Sequence, residues 1–133
     1  VAIGAMLKTI NNRATGVKYR SSGKESETTR ASSVDKIRTC FTILENLIVD
    51  RGAKDAYLRV LSPDGAVMST SSETFMYNNQ ATLYTAKESF DYDNKETELC
   101  LYWTKGSPYQ KGKYIIEIYV EGSLIGSTSL TLK

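Results

Sequence analysis

The acids Asp91, Asp93, Glu96 and Glu98 fall in one short run, FDYDNKETEL, and are the cluster to weigh for two-carboxylate chemistry. Glycoside hydrolysis needs two carboxyl groups facing each other across a cleft, one of them kept protonated by its surroundings. These four sit in or beside a polar loop, where water keeps all of them ionised. The stretch Asp91-Tyr92-Asp93-Asn94 could offer oxygens to calcium. It lacks the glycine turn and distal glutamate of the known loop signature, and a turn with solvated acids is the plainer account. Histidine is absent altogether. That removes the commonest general base, the Ser-His and Cys-His nucleophile pairs, and the commonest transition-metal ligand. Two distant cysteines do not make a cysteine-rich zinc site. The chain is therefore expected not to be an enzyme and to carry no cofactor and no metal.

Cys40 and Cys100 are the two thiols. Each lies in a run of alternating residues, out of phase with the larger apolar side chains around it. They could pair in an oxidising compartment if their strands are neighbours. They could equally be two sheltered free thiols, and bridging geometry is demanding enough to tip the reading slightly towards free thiols. Phe75, Met76 and Tyr77 stand together in an otherwise polar stretch. Tyr92, Tyr102, Tyr109 and Tyr119 fall in turns or on strand faces opposite the expected core. With Tyr77 they form a candidate binding surface, since tyrosine stacks on sugars and anchors protein interfaces. Against that, tyrosine simply suits a half-exposed strand.

The net charge of +2, from 17 bases and 15 acids over 133 residues, is too small to imply a nucleic-acid partner. Residues 1–30 carry six basic groups against Glu25 and Glu27, a local surplus that reads as a solvated segment. No apolar run approaches the length of about 18 residues that spans a bilayer, so no membrane insertion by this segment is expected. The opening VAIGAMLKTI is apolar only as far as Lys8 and lacks a preceding basic region, so it does not read as an intact signal peptide. Because the sequence opens on Val1, it is expected to be a piece or a processed product of something longer.

The elements that would position these residues read mostly as strands. RSSGKESETTRASS at 20–33 is almost wholly polar and reads as a linker or loop, leaving residues 1–33 as an N-terminal extension and 34–133 as the folding unit. VDKIRTCFTILENLIV at 34–49 could be a helix capped by Ser33. β-Branched residues, disfavoured in helices, fill seven of its sixteen positions, so it is read as a strand. DAYLRVLS at 55–62 alternates and ends in the turn Ser62-Pro63-Asp64-Gly65. Ala66–Thr70 returns as a short strand, 71–80 is mostly loop, and Ala81–Ala86 is a further strand. ETELCLYWT at 96–104 places Leu99, Leu101 and Trp103 on one face. KYIIEIYV at 113–120 turns at Glu121-Gly122 into a strand offering Leu124, Thr128, Leu130 and Leu132 to the core. Short alternating runs joined by turns at this spacing predict an all-β chain, an immunoglobulin-like antiparallel β-sandwich with an N-terminal extension. Tyr114, near the start of the penultimate strand, stands where a tyrosine corner is expected.

The strings IRTCFTILEN, KDAYLRVLSPDG, TELCLYW and GKYIIEIYVEGSLIGSTSLTLK resemble the immunoglobulin-like C-terminal domain of Bacteroidetes membrane-anchored coiled-coil envelope proteins. The resemblance covers roughly residues 34–133, and its last block is similar to many bacterial immunoglobulin-like domains, so it speaks more to fold than to function. It implies a non-catalytic module in the bacterial cell envelope, periplasmic or surface-exposed, in adhesion, assembly or as the folded head of a tethered chain, with a protein or glycan partner. The alternative from another class is a carbohydrate-binding module using the surface tyrosines.

Overall fold

The computed structural model describes residues 7–19, 23–68, 73–77, 79–104 and 109–133. Its strands are β1 (Thr9–Tyr19), β2 (Glu25–Thr28), β3 (Lys36–Ile43), β4 (Gly52–Leu61), β5 (Thr74–Tyr77), β6 (Gln80–Leu83), β7 (Ala86–Tyr92), β8 (Thr97–Trp103), β9 (Gly112–Val120) and β10 (Ser123–Leu132). One four-stranded sheet has the order β2-β1-β3-β8 and the other β10-β9-β4-β7, while β5 and β6 form a separate two-stranded ribbon. The strands pair antiparallel. The fold is an immunoglobulin-like β-sandwich, with β4, β9 and β10 in one sheet and β3 and β8 in the other. No helix among the described residues is long and apolar enough to cross a membrane.

Period-two alternation decides which side chains meet between the sheets. In β3, Ile37, Thr39, Phe41 and Ile43 are buried while Lys36, Arg38, Cys40 and Thr42 are half-exposed, so the strand reading of 34–49 holds for 36–43, and 44–49 is loop with Leu47 and Ile48 exposed. Facing them, Ala56, Leu58 and Val60 of β4 and Tyr114, Ile116 and Ile118 of β9 are fully buried. Each Leu, Ile or Val among them contributes about 1.5–3 kcal/mol when buried. The β9–β10 connection is a two-residue turn in which both Glu121 (φ 52°) and Gly122 (φ 73°) are left-handed. That is the twist-compatible hairpin turn, and Gly122 meets its demand without steric cost.

β10 departs from expectation in register. A shift between Leu124 and Gly126 inserts an extra residue, so Ile125 is buried and Leu124 is 39% exposed. Leu130 and Leu132 do reach the core, whereas Leu124 does not. Thr74–Tyr77 is a strand where mostly loop is expected, and the expected strand 81–86 begins one residue early as Gln80–Leu83 and breaks before β7. Of the short strand at 66–70, Val67 makes a single bridge to Leu61, and residues 69–70 lie outside the described ones.

The larger correction concerns the division at residue 34. β1 lies between β2 and β3 and pairs with β3 from Thr9↔Ile43 to Val17↔Lys36. Leu7 is buried in the core. The polar run after it is structural where described: Glu25–Thr28 forms β2, and the Ala31 N–H donates to the Lys133 carbonyl (2.9 Å) while the Lys133 N–H donates to the Thr29 carbonyl (2.6 Å). Backbone hydrogen bonding, which asks nothing of side-chain hydrophobicity, holds this segment. The described part of 1–33 is therefore sandwich rather than appendage.

Tyr114 does form the corner. Its ring is fully buried and its hydroxyl donates to the Gln110 carbonyl four residues upstream at 2.6 Å. Tyr114→Phe keeps the packing and leaves that carbonyl unpaired, so the denaturation midpoint should fall by the equivalent of about 1 kcal/mol. An unchanged midpoint at unchanged m-value would show that the corner contributes nothing.

Candidate binding surface

The acid cluster does not assemble a cleft. Asp91, Asp93, Glu96 and Glu98 are all exposed, strung along the end of β7, its connection to β8, and the start of β8. Asn94, with φ 70°, turns its amide inward and donates to the carbonyls of Asn46 (2.8 Å) and Val49 (2.6 Å), so it clamps the β3–β4 connection. Among the described residues no group of three or more Cys, Asp or Glu is arranged to hold a metal.

The cysteines are bridged, against the slight leaning towards free thiols. Cys40 and Cys100 are directly opposite in the β3–β8 ladder and form a disulfide with an S–S distance of 2.09 Å. Their out-of-phase positions have a simple cause. Both point away from the core, on the outer face of the sheet, where the ladder brings their side chains together. The bridge closes a loop between positions 60 apart, for which loop-closure entropy predicts about 4 kcal/mol of stabilisation. The double variant Cys40→Ala/Cys100→Ala should lose about that much in a denaturant titration, and a loss below about 1 kcal/mol would contradict it.

The five tyrosines singled out by pattern do not share a surface. Tyr92 is buried, since β7 directs Phe90 and Tyr92 inward, and its hydroxyl donates to the Leu44 carbonyl at 2.9 Å. Tyr109 is buried edge-on to Trp103 and Tyr114, with ring centroids 5.9 and 6.4 Å apart, and donates to the Trp103 carbonyl at 3.3 Å. Burial raises the Tyr92 and Tyr114 hydroxyls above the usual phenol range.

Tyr119 does point away from the core, yet it is only 2% exposed. The β5–β6 ribbon lies over this outer face. Phe75 stacks on Tyr57 at 4.5 Å and tilts against Tyr119 at 5.2 Å, while Tyr77 meets Tyr119 edge-on at 4.9 Å. Arg59 ties the ribbon down through Nε to the Leu83 carbonyl (3.1 Å) and pairs with Glu117 across the ladder (3.0 Å). Tyr84 donates to Glu73 at 2.6 Å, and that hydrogen bond, with desolvation, pushes its hydroxyl up to about 12. Phe75 and Tyr77 are thus the underside of a cover, and aromatic contacts of this kind contribute about 0.5–1.5 kcal/mol each beyond area burial. Beside the ribbon, Lys54 and Glu121 (2.7 Å) help to line a shallow groove of about 340 Å³.

Tyr102 alone of the five stands open, 49% exposed on the outer face of β2-β1-β3-β8, over which no ribbon lies among the described residues. Two residues that pattern reading passed over join it there. Tyr19, at the end of β1, is 50% exposed, and Lys36 Nζ lies 4.9 Å from the Tyr19 ring centroid and 4.3 Å from that of Tyr102. Such contacts are worth about 0.5–1 kcal/mol at exposed sites and orient both rings. Lys36 also pairs with Glu25 of β2 (2.5 Å), and Arg38 with Glu27 (3.6 Å). The Glu25 and Tyr19 hydrogen bonds hold the Lys36 ammonium above its ordinary range. The signal that could have found Tyr19 is its period-two spacing from Val17, within the segment 1–33 that reads as an extension.

Tyr19, Lys36 and Tyr102 thus share one outer face of an immunoglobulin-like β-sandwich. Residues 10–133 match the family described as Domain of unknown function (DUF8428), and the chain belongs to that family. The match begins within β1, so it includes the two strands before residue 34. No curated protein matches. Among solved structures, the Pseudomonas fluorescens alkylpurine DNA glycosylase AlkC, bound to DNA containing an abasic site analogue, is similar at 12% identity with a TM-score of 0.48. The likeness covers 97% of this chain and 31% of that one.

Proposed function

We propose that the chain is a non-catalytic immunoglobulin-like binding module of a bacterial cell-envelope protein, acting in adhesion or assembly as the folded head of a tethered chain. The observation that carries this reading is the Cys40–Cys100 disulfide. Such bridges persist where the surroundings are oxidising and are rare in a reducing cytosol. The resemblance of residues 34–133 to envelope modules supports the same compartment, and the dispersed, exposed acids support a role without turnover. The test is to trap thiols by alkylation in intact bacteria expressing the full-length protein, then fractionate. Oxidised Cys40–Cys100 in the envelope fraction is expected, and reduced thiols in the cytosol would overturn the reading. Turnover of ester, phosphate or glycoside substrates, abolished by Asp93→Asn or Glu96→Gln, would overturn its non-catalytic part.

A further inference from the structure

We propose that the outer face of β2-β1-β3-β8 binds a neutral polysaccharide, with sugar rings against Tyr19 and Tyr102 and their hydroxyls on the Lys36–Glu25 and Arg38–Glu27 pairs. This rests on reading the chain as a binding module, and it names the ligand class of one face.

A pyranose presents two kinds of surface to a protein. Its C–H face is apolar and stacks on an aromatic ring, while its rim hydroxyls both donate and accept hydrogen bonds. Tyr19 and Tyr102 supply two rings, each about half-exposed, so an ammonium engages each ring while the remainder faces solvent. Lys36 links the two, and the Tyr19 backbone N–H donates to Asp35 Oδ2 at 2.6 Å, which fixes the end of β1 that carries the first ring. Rings held before binding lose less conformational entropy on contact. Val17, on the same face by register and 1% exposed, lies beneath this layer of side chains as an apolar floor.

Charge decides the class of glycan. Beside the rings Lys36 is matched by Glu25 and Arg38 by Glu27, and by register Arg13, opposite Cys40, and Glu98, opposite Thr42, add one charge of each sign to the same face. A polyanion would release few counterions from such a patch and would meet carboxylates on arrival. A neutral chain meets an alternation of donors and acceptors that suits hydroxyls. The other outer face, covered by the β5–β6 ribbon, offers no comparable pair of rings: Tyr57, Phe75 and Tyr119 are engaged with one another.

The test is retention of the purified, oxidised protein on neutral polysaccharides (cellulose, chitin and starch) beside the polyanions alginate and heparin. Binding to at least one neutral polymer and not to the polyanions is expected. Tyr19→Ala/Tyr102→Ala should weaken that binding at least tenfold. Tyr19→Phe/Tyr102→Phe keeps the rings and should retain most of it. The substituted side chains are surface-exposed, so near-native melting of both variants checks that the face alone has changed. If the alanine double variant unfolds, Lys36→Ala serves instead, with a several-fold loss expected. Retention by a polyanion that Lys36→Ala abolishes would overturn the charge argument. Neutral binding indifferent to all three residues would overturn the site. No neutral binding, with Cys40 and Cys100 oxidised in the envelope, would overturn the ligand class and leave the module reading standing.

Discussion

Residues 34–133 expressed alone are expected not to fold. Removing β1 and β2 takes the central pairing partner of β3 and leaves that strand's ladder groups open along one edge. It also removes Leu7, Val17 and Ala31, all buried, and the Thr29 and Ala31 backbone groups that hold Lys133. Burial of Leu7 and Val17 is worth about 1.5–3 kcal/mol each. Seven ladder positions are lost besides. Against a total stability of about 5–15 kcal/mol, such losses are enough to unfold a domain of this size. The measurement compares solubility and thermal melting of 34–133 with those of 7–133. An insoluble product, or one melting without cooperativity, is expected. A cooperative transition within a few degrees of the longer chain would mean that β1 and β2 only decorate the sandwich.

Trp103→Ala is expected to cost about 3–5 kcal/mol, the range for truncating a large core aromatic. The indole is 6% exposed, paired in register with Ile37, and packed edge-on against Tyr109. Tyr109 in turn meets Tyr114, so the cavity would open beside the tyrosine corner, where the backbone is pinned and cannot collapse to fill it. Trp103 is the only tryptophan, which makes the native environment directly readable. Its emission should be blue-shifted and resistant to iodide quenching until the chain unfolds. Red-shifted, readily quenched emission from the native protein would contradict the burial.

The strands that sequence pattern located are those whose two faces differ in side-chain chemistry. β3, β4, β8 and β9 alternate large apolar with polar residues and were legible for that reason. β1 was not, because its inward positions hold Ala14 and Gly16. A Cβ at residue 16 would lie 2.5 Å from the Thr28 carbonyl oxygen and 2.8 Å from Val34 Cγ2, so close packing forbids the large residue that would have announced the strand. β7 shows a different obstacle. It is an edge strand, and its exposed Lys87, Glu88 and Asp91, which discourage edge-to-edge pairing, made it look like loop. Tyr119 was assigned to the correct face of β9, but exposure could not be inferred without the ribbon that folds over that face. The disulfide needed the β3–β8 register, which no spacing along the chain encodes. Of the proposed glycan face, Tyr102 is legible from the alternation of ETELCLYWT, whereas Tyr19 stands in a segment whose polar neighbours read as an extension.

The placement of β1 against β10 also determines how the module would bear load. Thr9 Oγ1 donates to the Ile125 carbonyl and Asn12 Nδ2 to the Ser127 carbonyl, both at 3.2 Å, while Gly16 lies near Leu132 further along. The two strands therefore run side by side in the same direction, one leading from Leu7 and the other to Lys133. Tension between those two residues pulls the strands lengthwise past each other, so both bonds are loaded in shear together rather than one at a time. Should they yield, the chain between Cys40 and Cys100 stays behind a covalent lock and cannot pay out. The stretched module would lengthen only by its outer segments, and a reductant would release the rest.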